Sequence, residues 1–261
     1  MWKYVTSLVL LVLILGGLAT YSVIQQNIRS SDGVYVLFVG DDLVSSGNMP
    51  RQLAAIANAN GVNLTFRNLS TSGATLSDQR DRAFARMQRM QYDFVIFQEQ
   101  GQRPLSDPDG FLSDVYFLSN VARETGAIPV LYSPAWVTLS SRPDIEAQDI
   151  LTLRHAIVAY DSNAILVNAG DAWVFAYYRE PQLDLYQDDM VHANYAGAFF
   201  TACVIAYTLL DIDITTIPQN ISYTGGNPEL LVALARDFVN IYDNALQRAI
   251  EMLQDEQIQL F

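Results

Sequence analysis

The chain has few of the residues that most often carry chemistry. One cysteine, Cys203, stands among 261 residues, which excludes an internal disulfide and any cysteine-rich metal site. It lies in an apolar helical run, where a small buried hydrophobe is expected rather than a reactive thiol. There are two histidines, and 15 Lys and Arg against 28 Asp and Glu, for a net charge of −13. No basic stripe is available to neutralise phosphates, so nucleic acid is not an expected partner. Phosphate-cradling glycine loops are missing too. Residues 40–47 match neither G-x-x-x-x-G-K-S/T nor G-x-G-x-x-G, and the two adjacent acids there repel phosphate. That argues against a doubly wound nucleotide-binding domain. No linker, repeat or low-complexity block interrupts the chain, which leaves one domain as the economical reading.

What the chain does have is apolar sequence, 51% of its residues, enough to bury a sizeable core. The first apolar stretch, Tyr4–Ile24, contains no charge; Lys3 precedes it and Arg29 follows. Its length matches a bilayer core of roughly 30 Å at 1.5 Å per residue. Thr20-Tyr21-Ser22 is a poor small-x-small cleavage site, so an uncleaved anchor is preferred to a cleaved signal peptide. Residues 1–30 are therefore expected to be a membrane anchor and short linker. The remainder, 31–261, is expected on the extracytoplasmic side. Asn63, Asn68 and Asn220 each begin an Asn-x-Ser/Thr triplet, which matters where exported proteins are glycosylated.

Beyond Ser31 short apolar runs alternate with helical patterns. Strands are predicted at Val34–Val39, Asn63–Asn68, Phe94–Gln98, Ile128–Tyr132 and Ala164–Val167. Helices are predicted at about Pro50–Ala59, Leu76–Met90, Phe111–Thr125 and Ile145–Tyr160. This rhythm predicts a single three-layer α/β/α domain on a parallel five-stranded, flavodoxin-like sheet. Ala196–Leu210 is apolar nearly all round but short for a span, so it is expected to be a core helix. A last helix is expected from Pro228, capped by Asn227, with Leu231, Leu234, Phe238, Ile241 and Ala245 buried.

The centre of the chain is Val34 to Pro50. An apolar strand ends at Gly40, two aspartates follow, and a helix opens near Pro50. A strand, a tight glycine turn and a helix hold one reactive side chain at the carboxyl edge of a parallel sheet. The two histidines differ in context. His155 sits in a helical pattern with no acidic partner at obvious spacing, and a partly buried structural role is the plainer reading. His192 follows Asp189 by three residues, close enough for a carboxylate to fix the imidazole tautomer and stabilise its cation.

Together these segments resemble the SGNH, or GDSL-type, hydrolase superfamily over about residues 34–210. Gly40-Asp41-Asp42-Leu43 resembles the first family block, Gly-Asp-Ser-Leu. Thr71-Ser72-Gly73-Ala74 resembles the second, whose glycine N–H helps bind an oxyanion. Phe97-Gln98-Glu99-Gln100 stands where the family usually has Gly-x-Asn-Asp, and Asp189-x-x-His192 matches the last block, with Asn194 and Gly197 as its usual continuation. The resemblance implies an esterase or polysaccharide deacetylase fold with Asp189 and His192 as its acid–histidine pair. Gly73 and Gln98, with Gln100 as the other choice, are implied as oxyanion donors. A small-molecule or polysaccharide ester is the implied ligand, and neither cofactor nor metal is implied.

Asp42 stands where the family has its nucleophilic serine. A carboxylate has no proton to give at neutral pH, and removing the nucleophile from such a triad costs on the order of a millionfold in rate. Beside His192 it also favours imidazolium, which blocks the histidine as a base. Three readings follow. The domain is a hydrolase scaffold that binds a glycan or acylated polymer without turnover; or Asp42 attacks an sp³ carbon, by analogy with an unrelated fold; or Ser45 or Ser46 replaces the missing serine. Metal-assisted hydrolysis through Asp41, Asp42 and His192 is a minor alternative. Glu99 is expected at a solvated loop position, Arg103 and Pro104 at the border of the cleft, and Trp136, Trp173, Tyr177 and Tyr178 in ordinary core and rim packing.

Overall fold

The computed structural model describes residues 33–135, 145–221 and 226–242. The expected anchor at Tyr4–Ile24, Trp136 and Ala245 lie outside the described residues.

Five strands form one parallel sheet: β1 (Val34–Val39), β2 (Leu64–Asn68), β3 (Phe94–Phe97), β4 (Ile128–Ser133) and β5 (Ile165–Asn168). Their order is β2-β1-β3-β4-β5, so the winding reverses between β1 and β3. In such sheets the crevice at the carboxyl ends of those two strands is where ligands sit. Register is continuous through the centre, with Val36 beside Phe94 and Val39 beside Phe97.

Between the strands run α1 (Asp42–Ser45), a 3₁₀ turn at Ser46–Asn48, α2 (Met49–Ala59), α3 (Leu76–Arg89), α4 (Arg103–Ser106), α5 (Pro108–Glu124), α6 (Ile145–Asp161), α7 (Ala169–Arg179) and α8 (Tyr195–Leu210). Residues 228–242 form a further helix, with Asn227 Oδ1 accepting from the Leu230 N–H at 3.1 Å.

Alternate side chains of each strand enter opposite layers. Val36, Phe38, Phe94, Ile96 and Val130 pack with α2, α7 and α8. Leu37, Val39, Val95, Phe97 and Leu131 pack with α3 and α5 on the other side. Helix α8 is buried nearly all round, which explains its uniform apolarity, and Cys203 within it is fully buried. Among the described residues no helix is long and apolar enough to cross a membrane.

The strand and helix positions agree with the sequence pattern to within a few residues. The short helices α1 and α4 have no periodicity to announce them, and α7 follows β5 without a loop. One expected core position is corrected. Leu231, Leu234 and Ala235 are buried and Phe238 is partly so, but Ile241 is 51% exposed, because at 100° per residue it falls at the edge of that arc.

Candidate active site

The site begins with the glycine after β1. Gly40 accepts the Thr71 N–H at 3.1 Å and the Gln79 side-chain amide at 2.8 Å through its carbonyl, so two loops converge on it. A Cβ at this position would stand 2.6 Å from Gln98 Oε1 and 2.8 Å from the Gln98 carbonyl, so only glycine fits. Asp41 follows, buried, with Oδ1 capping the Leu43 N–H at 2.9 Å. Its own N–H donates to Gln98 Oε1 at 3.0 Å. Burial is the main reason its carboxyl is pushed up to about 6, aided by the Asp42 charge and opposed by the Leu43 N–H.

Asp42 opens α1 and turns its carboxylate into the crevice. Ser72 donates its hydroxyl to Oδ2, and the backbone N–H groups of Asp42 itself and of Gly73 also stabilise the carboxylate. Gly73 presents its N–H from a turn with φ of +67°, a left-handed conformation that suits glycine. Partial burial would raise the Asp42 pKa. The Ser72 and backbone hydrogen bonds, with the nearby His192, outweigh it and hold the carboxyl below its usual range.

His192 arrives from a loop pinched shut by the antiparallel bridge between Tyr186 and Ala193, with the Gln187 N–H donating to the His192 carbonyl at 2.8 Å. Asn194 steadies the loop from behind. Its amide donates to the carbonyls of Asp184 and Tyr186, each at 3.0 Å, while its Oδ1 caps α8 by accepting from the Gly197 N–H. Within the loop, Asp189 Oδ2 lies 2.6 Å from His192 Nδ1, and Oδ1 accepts the backbone N–H groups of Val191 and His192, each at 2.9 Å. The opposite ring nitrogen, Nε2, faces Asp42 Oδ2 at 3.6 Å.

Slight burial would lower the imidazole pKa, but the Asp189 hydrogen bond and charge, with Asp42, raise it. Burial likewise works against the Asp189 carboxylate, yet the His192 backbone and ring donors prevail and bring it down to about 2. The ring therefore lies between two carboxylates, Asp189 at Nδ1 and Asp42 facing Nε2, and both favour its protonated form.

The other expected residues divide clearly. Gln98 is fully buried beneath the turn, its Oε1 turned to the Asp41 N–H and its amide to the Glu99 carbonyl. Gln100 is partly exposed, and its Oε1 accepts the N–H groups of Gln102 and Arg103, each at 3.2 Å. Ser45 and Ser46 are not brought to His192; both hydroxyls donate to the Asp42 carbonyl, at 3.4 and 2.7 Å. Asp41 faces its own helix cap instead of joining Asp42. Among the described residues no cluster of three His, Cys, Asp or Glu is placed to hold a metal ion.

His155 is deeper than expected, fully buried against Phe111 with Nδ1 2.9 Å from the Leu151 carbonyl. Burial lowers its pKa to about 4, so it is neutral. Trp173 is buried, whereas Tyr178 is 65% exposed.

Glu99 corrects an expectation outright, since it is fully buried rather than solvated. Its Oε1 accepts the Leu76 N–H at the start of α3 at 3.1 Å and the Gln100 N–H at 2.8 Å. Oε2 pairs with the Arg103 guanidinium at 2.7 Å, and Arg103 also reaches Asp114 at 2.8 Å. A buried carboxylate needs such partners, and these tie the Gly73 loop, through α3, to the loop after β3. Ser72, Gln79 and Glu99 were missed as site residues. The one available signal was the Glu99–Arg103 spacing, four residues apart with opposite charge.

Comparison with solved structures now decides the fold. A candidate SGNH hydrolase from Slackia heliotrinireducens superposes with a TM-score of 0.56 at 27% identity, covering 68% of this chain and 100% of its own. Its fold is that of the SGNH hydrolases. A psychrotrophic esterase, EstA, from Pseudoalteromonas sp. matches with a TM-score of 0.54 at 17% identity, covering 68% of this chain and 97% of that one. A catalytic mutant of Axe2, an acetylxylan esterase from Geobacillus stearothermophilus, matches at 0.56 and 15% identity, covering 68% and 94%. No protein-family model matches the sequence, and no curated protein does.

Proposed function

We propose that the domain is an SGNH-type ester hydrolase scaffold in which Asp42 takes the nucleophile's place and silences ordinary serine chemistry. One observation carries this reading. The Asp42 carboxylate accepts the Ser72 hydroxyl and is stabilised by the backbone N–H groups of Asp42 and Gly73, and backbone donors grouped in this way serve to stabilise an oxyanion. The side chain thus occupies the position an acyl oxygen would need. Its charge also favours the protonated form of His192, which works against the ring as a base. A carboxylate stabilised by the Ser72 hydroxyl, nearby backbone N–H groups and the His192 ring is a weak nucleophile, which disfavours attack by Asp42 on an sp³ carbon.

Acyl or acetyl esters of carbohydrate are the ligand class we assign, supported by the sequence resemblance and by the acetylxylan esterases among the similar folds. Gly73 and the Asp42 N–H are the assigned oxyanion donors. Gln98 supports the turn from beneath, and Gln100 is the side-chain amide nearer the surface. The uncharged stretch Tyr4–Ile24 supports a membrane anchor with the domain outside the cytoplasm. Resistance of the full chain to alkaline extraction from membranes tests that part.

The functional test compares the natural protein with Asp42→Ser and with Asp42→Ser/His192→Ala on a short-chain aryl ester and an acetylated sugar. In Asp42→Ser the new hydroxyl gives its proton to His192 Nε2 and attacks the acyl carbon. The leaving alkoxide takes that proton, and water then cleaves the acyl-enzyme. The natural protein is expected to be inert, Asp42→Ser active, and the double variant inert again. Turnover by the natural protein that disappears in Asp42→Ala and in His192→Ala would sink the proposal and make Asp42 catalytic.

A further inference from the structure

Helix α6 is apolar on both faces, and among the described residues only one of them is covered. Gln148, Leu151, His155, Val158 and Ala159 face the protein's own interior. On the opposite side Ile150, Leu153, Ile157 and Tyr160 are 46, 44, 39 and 43% exposed. A surface helix of a monomer normally places polar residues there.

The spacing of the exposed side chains is three, four, three, a heptad stripe. Ile150 and Ile157 occupy a positions, Leu153 and Tyr160 d positions, and the buried residues fall at b, c and f. β-branched residues at a with leucine at d favour a two-stranded parallel pair. The flanking charges agree with that geometry. Asp149 is at g and Arg154 five residues later at e, the spacing at which g of one helix meets e of a parallel partner. An antiparallel pair sets g against g and e against e, which separates Asp149 from Arg154. Tyr116 on α5 is a further exposed aromatic, at 52%. It stands two turns before Arg123, whose guanidinium donates to the carbonyls of Ser162 and Asn163 at the end of α6.

We propose that the exposed face of α6 is a homodimer interface, in which the α6 helices of two copies pack in parallel about a two-fold axis, with Asp149 of each copy paired to Arg154 of the other. This goes beyond the hydrolase reading and does not rest on it. Such a contact is isologous, so it closes on itself and leaves no free face. One helix pair is smaller than a standard interface, which places the association in the weak, reversible class.

The test uses the full chain in a mild nonionic detergent, with Leu153→Cys as the probe. Across a parallel two-fold, position 153 of one copy faces position 153 of the other, so oxidation is expected to yield a covalent dimer. Tyr178→Cys, exposed but on α7, is the control and is expected to stay monomeric under the same oxidant. Sedimentation equilibrium gives the second readout. Asp149→Arg is expected to weaken the dimer about tenfold, equivalent to roughly 1.4 kcal/mol, and Asp149→Arg/Arg154→Asp to recover most of that loss. The proposal is overturned if the natural chain stays monomeric to about 0.2 mM, far above the micromolar range. It is equally overturned if the two cysteine variants cross-link alike, or if the charge swap fails to restore binding. Asp149, Leu153 and Tyr178 are exposed and Arg154 is partly so, so the fold survives these substitutions, and a monomeric result counts against the interface even if some other molecule binds the stripe.

Discussion

At the scale of single residues, the site is a set of charges whose balance depends on pH. His192 has a folded pKa above its usual value. The stabilisation from its two carboxylate partners is therefore fully present below about pH 6.5 and is lost as pH rises through the folded pKa. Asp42→Asn removes one partner charge, and the His192 titration midpoint, followed by imidazole NMR shifts, is expected to fall. An unchanged midpoint would show that Asp42 does not act on the ring. Asp189 runs the other way. Its pKa is depressed to about 2, so its contribution is present above the ordinary carboxylate range and disappears as pH falls through 2. Asp41 is the costly member. With a folded pKa of about 6 against an ordinary 3.8, it penalises the fold increasingly as pH rises between those values. Asp41→Asn keeps an acceptor for the Leu43 N–H and is expected to stabilise the protein by up to about 3 kcal/mol at neutral pH, with the gain vanishing in acid. Thermal melts of the pair across that range check the sign.

At the scale of elements, the β1–α1 turn and the buried Glu99 cluster bring three loops to one crevice. Gly40→Ala drives a methyl into the Gln98 side chain and backbone. Overpacking of that kind costs about 1–3 kcal/mol, to be read from the denaturant midpoint. Glu99→Ala removes the most buried of the Arg103 partners, leaving Asp114 and Asp107, and deprives the Leu76 and Gln100 N–H groups of their acceptor. A loss of about 3 kcal/mol is expected, with faster amide exchange around Gly73. Normal exchange there would show that the cluster does not hold the oxyanion loop.

Much of this scale was legible in the sequence. Apolar runs located β1 and α8, because β1 is buried on both faces apart from Tyr35 and α8 is buried nearly all round. Asp189 and His192 were legible because they act within one short loop. Glu99 and Ser72 were not: the Ser72 partner Asp42 and the Glu99 partner Leu76 are distant in sequence, and the nearby Glu99–Arg103 spacing does not by itself mark a buried carboxylate. Gln98 was assigned an oxyanion role by its place after β3. The structure puts its side chain under the turn, where Oε1 accepts the Asp41 N–H and the amide donates to the Glu99 carbonyl.

At the scale of the whole molecule, alternating strand and helix patterns implied the parallel sheet, and its observed order places the reversal of winding at the crevice that holds Asp42 and His192. The exposed stripe on α6 shows the limit of such reading. Its apolar residues suit a buried helix from any side, and only the finished packing reveals which of them are left over.

The fully buried Cys203 thiol, its pKa raised by burial, has a practical consequence. It is the chain's one natural thiol, at the centre of the helix that closes one layer, so an alkylating reagent reaches it only when that layer opens. Its labelling rate is a built-in clock for opening. We expect that rate, followed by mass spectrometry across low denaturant concentrations, to extrapolate to the global unfolding free energy, since core helices open at that level. A shallower dependence would reveal that α8 detaches on its own while the sheet stays folded.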